Sequence, residues 1–300
     1  MELSWPMKLR IAAAASVGVL LIGVLAWPLT GSADPLGAVS VAASSIGVPD
    51  AFVLLVLAFA SGVIGYFVSW PWGREIGILA APCGLAVWAI RGGNMAGLMQ
   101  MNSTLAGRKA LLSAMTWEPA FWLLVVAAGV GGVFLGQKIS GGGGSAKAKK
   151  EAGPDSGNYM NIVIGLICSA IIAQLLIVVF ARDAGARAGQ AGSATGQAPV
   201  GQVVFALLVS FGAAGFVLKR LLNVSYIWAA VSSAILSGLM IGRYVRSDVL
   251  EQFVRYWPGP LFPNATVSIL PVQMVAFGTL GSVIGYWLAV RYDFWRKHEV

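Results

Sequence analysis

Residues 160–181 read MNIVIGLICSAIIAQLLIVVFA, with no charged residue among them. A stretch this long and apolar is poorly suited to water. A bilayer suits it well: a hydrocarbon core of roughly 30 Å is crossed by about 20 helical residues, and a helix pairs its own backbone N–H and C=O groups. The run is continuously apolar, which sets aside a barrel strand, where polar and apolar residues alternate over about 10 positions.

Similar runs lie on both sides, at 9–29, 51–70, 76–90, 119–136, 198–218, 226–242 and 267–290. The third is short and lies between Glu75 and Arg91, with Pro82 near its centre. It reads as the packing partner of a tilted neighbour or as a broken, re-entrant element. Composition agrees: 58% of residues are hydrophobic and 11% charged. The expectation is an all-α integral membrane protein with about eight transmembrane helices.

Two stretches cannot bury enough apolar surface to fold alone. Residues 139–158, ISGGGGSAKAKKEAGPDSGN, form a solvated linker, and 182–199 form a second loop of small and polar residues. The linker divides the chain into a first helical half, 1–138, and a second, 159–300. Shifting the first half by about 153 positions lays its four spans on the four of the second. Phe52–Gly62 (FVLLVLAFASG) then meets Phe205–Gly215 (FALLVSFGAAG), and Arg91 and Arg243 each close a third span. This predicts a 4+4 duplication whose halves run parallel, related by an axis along the membrane normal. A competing match pairs SGVIGY at 61–66 with GSVIGY at 281–286, as shared packing words would.

The connection between third and fourth spans is long in both halves. In 95–117, Leu98, Met101, Leu105, Leu112 and Met115 fall on one helical face, interrupted by Arg108. In 244–257, Val245, Val249, Phe253 and Tyr256 group together, away from Arg246, Asp248, Glu251 and Arg255. Both read as helices lying in the membrane interface. The second ends at Trp257-Pro258-Gly259-Pro260, since proline cannot continue it.

The formal net charge of +8 comes from residues at span ends and in loops, where anionic lipid is the expected partner rather than nucleic acid. With eight spans both termini share a side. That side collects 12 Lys and Arg against 8 on the other, which favours cytoplasmic termini in an inner membrane. Tyr66, Trp70 and Trp72 close the second span, and Trp287, Tyr292 and Trp295 the last, each group beside Arg. Lys8 and Arg10 before an apolar run, with Gly31-Ser32-Ala33 after it, resemble a signal peptide. The run is long for one and fits the repeat, so a retained first helix is expected.

Small residues recur within spans: Ser61 with Gly65, Gly132 with Gly136, Gly278 with Gly281 and Gly285. Such spacing lets helices approach closely and gain dispersion contacts, and packing is the preferred reading over a backbone-lined path. Arg91 and Arg243 are candidate contacts for lipid head groups or an anion, with snorkelling at a helix end the plainer alternative.

Chemical equipment is sparse. No Asp or Glu falls near a span centre, and Glu75 and Glu118 come closest. His298 is the single histidine, in a charged tail. This disfavours proton relays and intramembrane proteolysis and excludes haem held by paired span histidines. Cys83 and Cys168 lack partners for a metal set. The run GGGGSAKAKK lacks the final glycine and the hydroxyl residue of a phosphate-binding loop. No catalytic residue, cofactor or metal is expected, and the bundle is expected to hold no buried charge. The leading reading is a non-enzymatic scaffold or complex subunit that contacts membrane lipid and a protein partner or a second copy of itself. The alternative is a small permease or channel for a neutral or anionic solute, with its site between the halves. A lipid-modifying enzyme using Glu75 or Glu118 comes third.

Overall fold

The computed structural model describes residues 5–30, 37–43, 46–141, 156–183, 185–187, 193–256 and 259–298. Eight helices among them are long and apolar enough to cross a membrane: Trp5–Leu29, Val48–Val68, Gly73–Arg91, Leu105–Ile139, Tyr159–Phe180, Val200–Leu222, Tyr226–Val245 and Pro271–Arg296. The chain is therefore an all-α multi-pass membrane protein, apart from one small β-ribbon. The small-residue site at 31–33 and residues 142–155 of the linker lie outside the described residues.

In order, α1 (Trp5–Gly18) continues through π-helical turns at Val19–Leu25 and is followed by α2 (Val48–Val68). The third span is α3 (Gly73–Ile76), a 3-10 turn and α4 (Ala80–Arg91). Short helices α5 (Met95–Met101) and α6 (Leu105–Met115) lead into α7 (Glu118–Ile139). The second half holds α8 (Ser156–Phe180), strands β1 (Gly185–Arg187) and β2 (Ser193–Thr195), α9 (Val200–Val217) with π-helical turns to Leu222, α10 (Tyr226–Val245), α11 (Asp248–Tyr256) and α12 (Pro271–His298). One end of the bundle carries Trp5, the Ser69–Trp72 turn, Ile139, Ser156 and His298. The opposite end carries the longer connections and forms a folded cap.

Local chemistry sets several boundaries. Pro49, Pro119 and Pro271 lie in the first turns of α2, α7 and α12, where no intrahelical N–H bond is lost. Asn94 Oδ1 accepts from Gly97 N at 2.8 Å and starts α5, and Thr104 Oγ1 accepts from Gly107 N at 3.1 Å and starts α6. Asn223 turns the chain between α9 and α10 in the left-handed region, φ 50°, which asparagine tolerates.

Two parallel crossings dominate the packing, α2 against α7 and α9 against α12. At the first, a Cβ placed on Gly62 would overlap the carbonyl oxygen of Gly129, and one on Gly132 would overlap that of Phe59. At the second, a Cβ on Gly215 would press on the carbonyl of Ser282, and one on Gly285 on that of Gly212. Each position in the second set lies 153 residues beyond its counterpart in the first. The competing words SGVIGY and GSVIGY belong one to each crossing, on α2 and α12, so tight packing accounts for their likeness.

The third and eighth spans run through the middle of the bundle, with 72% of an 18-residue apolar stretch of each buried, against 22% for the fifth. Their mean hydropathies are only 1.3 and 1.4, against 2.9 for the fifth. The outer helix faces solvent oil and must be apolar all round, while the central two face other helices. This explains the brevity of the third apolar run: Gly73–Arg91 is one continuous element, with a 3-10 turn at Gly77–Leu79, and is shielded by its neighbours.

The cap differs from expectation in three places. Residues 95–117 do not form one helix: the chain breaks at Asn102–Thr104, where Asn102 Nδ2 bonds back to Leu98 O at 3.0 Å and Thr104 caps the next helix. Leu98, Leu112 and Met115 are buried and Met101 is exposed; Arg108, read as an interruption of the apolar face, is buried with them. On α11, Leu250 and Phe253 face inward and Tyr256 is exposed, so the buried stripe lies to one side of the one expected. Within the 182–199 loop, β1 pairs antiparallel with β2, and Thr195 and Phe262 exchange both backbone bonds at 2.9 Å. Backbone pairing of this kind leaves no trace in side-chain hydropathy.

Candidate functional site

The small residues singled out in the sequence all lie at helix crossings. Ser61 is buried and donates to Ala58 O at 2.7 Å. Gly65 faces Ala80 and Gly77 of the third span, and Gly136 faces the Tyr66 ring. Gly278 lies against Ser233, Gly281 against the carbonyl of Leu208, and Gly132 and Gly285 at the crossings above. Arg91 and Arg243, at the cap ends of α4 and α10, are exposed and belong to different halves. The Arg91 guanidinium sits 4.3 Å over the Trp27 ring.

At the cap, Glu118 is the first residue of α7 and is 3% exposed. Ser40 Oγ donates to its Oε2 at 2.6 Å and Ala42 N at 3.4 Å, while Trp122 Nε1, one turn along α7, donates to Oε1 at 2.9 Å. Glu118 also lies in the first turn of its own helix, a favourable place for negative charge. Trp122 meets Trp88 edge to face, and Trp88 Nε1 donates to Ile22 O at 2.7 Å. Val39 N donates to Gly92 O at 2.7 Å. Glu118 thus clasps residues 39–42 against the third and fourth spans. Nearby, Arg108 is 5% exposed and its Nε donates to Met99 O at 3.3 Å and Asn102 O at 3.0 Å. These two residues correct the expectation of a bundle without buried charge: by sequence Glu118 stands at a span end and Arg108 in the 95–117 connection, and chain folding over the cap buries both. The Glu-x-x-x-Trp spacing at 118 and 122 was the available signal for the first.

At the other end a crevice of about 390 Å³ opens between the halves. Arg74, Glu75 and Ile78 line it from the third span and Val130, Val133 and Phe134 from α7. Ser225, Tyr226 and Ile227 of the α10 start face Tyr286, Trp287 and Val290 of α12 across it. Several wall positions correspond at the same offset of 153: Arg74 with Ile227, Val133 with Tyr286, Phe134 with Trp287. Ile78 and Val133 are buried. Arg74 and Glu75 are exposed, and Tyr226 meets Tyr286 edge to face at 5.4 Å. Lys219 Nζ lies 5.3 Å over the Tyr286 ring and donates to Asn223 Oδ1 at 2.6 Å. The crevice combines both signs of charge, hydroxyls and an apolar floor, a set able to bind an amphiphile. Hydropathy alone could not find it, because its walls come from four separate helices.

Among the described residues, no group of three His, Cys, Asp or Glu could hold a metal ion. No protein-family model matches this chain, and no curated protein and no solved structure matches it.

Proposed function

We propose that this protein is a non-enzymatic multi-pass scaffold or complex subunit of the cytoplasmic (inner) membrane, contacting lipid and a protein partner or a second copy. One observation carries this reading: among the described residues, a continuous apolar cluster packs the interior. The two central spans are surrounded by a continuous cluster that includes Trp88, Trp122, Phe211 and Phe277. The apolar surface left over points outward. On α8, Tyr159, Val163, Ile167, Ile171, Leu175 and Val179 recur every four residues, all exposed, as a ridge that lipid or a neighbouring helix can cover.

The body is read as a parallel duplication of four spans. The support is the repeated register at the two glycine crossings, 62 with 129 and 215 with 282, each offset by 153. Helices α5, α6 and α11 are read as interfacial, being too short to cross a bilayer and packed on the cap. Cytoplasmic termini are supported by the Lys and Arg distribution. Contacts of Arg10 with Trp72, Lys219 with Tyr286, Arg220 with Tyr292 and Arg291 with Trp295 add to it, all at the termini end. Helical rather than barrel spans favour an inner membrane.

The crevice favours a second reading, a permease whose site lies between the halves. The two readings separate by experiment. Purified in mild detergent, a scaffold or subunit gives a complex of fixed stoichiometry by native mass spectrometry and is inert in sealed liposomes. A monomer that carries solute across liposomes when pure overturns the scaffold reading in favour of the second.

A further inference from the structure

We propose that the crevice at the termini end is a binding site for a phospholipid with a zwitterionic head group, a phosphate beside a primary ammonium, as in phosphatidylethanolamine.

Charge complementarity points to that ligand. Arg74 and Glu75 are neighbours in α3, both exposed at the crevice and both part of its lining. Among the described residues the one ion pair is Arg220–Asp293, at 3.4 Å, so Arg74 and Glu75 are not committed to a carboxylate or a cation of the protein. Together they offer a guanidinium for a phosphate and a carboxylate for an ammonium. Lys219, beside Tyr286, adds cationic field next to the crevice wall. A purely anionic head group, such as that of phosphatidylglycerol, brings hydroxyls to Glu75 but no positive charge. A choline head group carries positive charge but no N–H to donate to that carboxylate.

The apolar walls supply the rest. Ile78 and Val133 form a buried floor, and Phe134 and Val290, 49% and 43% exposed, continue the crevice onto the outer apolar surface. An acyl chain can lie there while its head group reaches the charged mouth. Tyr226, Tyr286 and Trp287 give the amphipathic rings that favour head-group depth, and the site stands at helix ends, where a bilayer boundary falls. A lipid in that leaflet enters sideways without leaving the membrane. The site is independent of whether the protein is a scaffold or a permease.

The test uses the full chain, delipidated in detergent and titrated with phosphatidylethanolamine, phosphatidylcholine and phosphatidylglycerol, with bound lipid read by native mass spectrometry. Phosphatidylethanolamine is expected to bind best. Arg74→Ala is expected to weaken it about tenfold, and Glu75→Gln to remove its advantage over phosphatidylglycerol. Lys109→Ala, on α6 at the far end of the bundle, leaves binding unchanged. Equal binding of the three lipids by the unaltered protein overturns the proposal, as does unchanged phosphatidylethanolamine binding in the Arg74→Ala, Glu75→Gln double variant. Soluble glycerophosphoethanolamine binding as tightly as the lipid overturns the membrane source.

Discussion

Ser40 Oγ lies 2.6 Å from Glu118 Oε2, joining residues 78 positions apart in sequence inside the buried cap. The bond fastens a short connecting segment to the start of the fourth span, and the Ala42 amide and Trp122 indole share the same carboxylate.

Glu118→Ala removes the acceptor for all three donors, of which the Ser40 hydroxyl and the Trp122 indole are buried. The expected cost is about 3 kcal/mol of stability, from unsatisfied buried donors. Thermal unfolding in detergent and hydrogen exchange over residues 39–42 measure it. Unchanged melting together with unchanged protection of that segment refutes the clasp.

Close approach at the crossings predicts an order among glycine substitutions. Gly62→Ala and Gly285→Ala drive a methyl into a backbone carbonyl and are expected to cost about 1–3 kcal/mol each. Gly65→Ala meets the Ala80 methyl at 3.2 Å and should cost less, and Gly201→Ala, with nothing within 4 Å, should be neutral. Gly65→Leu is expected to destabilise clearly. Melting temperatures of this series in one detergent check the ranking; a reversal between Gly285→Ala and Gly201→Ala contradicts it.

Gln273 ties the halves together: its Nε2 donates to Ala89 O at 3.0 Å, and its Oε1 accepts from Leu270 N at 3.1 Å. Gln273→Leu keeps the bulk but strands a buried N–H and a carbonyl. A loss of about 1–3 kcal/mol is expected, read by denaturant or thermal unfolding. Since α12 and α4 belong to opposite halves, cross-linking between them should fall in the same variant.

Arg108 holds the break between α5 and α6 through the carbonyls of Met99 and Asn102. Arg108→Met keeps the aliphatic stem and removes the donor. Faster hydrogen exchange is expected at residues 98–104, with the span helices unaffected. Equal exchange there in both proteins shows the carbonyls find other partners.

Much of the architecture was legible in order of sequence because a membrane helix satisfies its own backbone, so its existence depends on local composition. Residues 160–181 and the seven other runs are of this kind. The break at Asn102–Thr104 was not legible, although Thr104 is a plain cap, because the apolar spacing continues across it. Glu118 read as an edge residue and Arg108 as a break in an interfacial face for a similar reason: position outside a span says nothing about what folds over the top.

The sequence by itself determined that this chain crosses oil about eight times and where each crossing lies, because hydropathy is a property of each segment alone. Only the tertiary structure decided which spans are central, what clasps Glu118, and that Arg74 and Glu75 open onto Tyr226, Tyr286 and Trp287. Those relations depend on which helix lies beside which, and lipid-facing and helix-facing surfaces are both apolar, so composition cannot tell them apart.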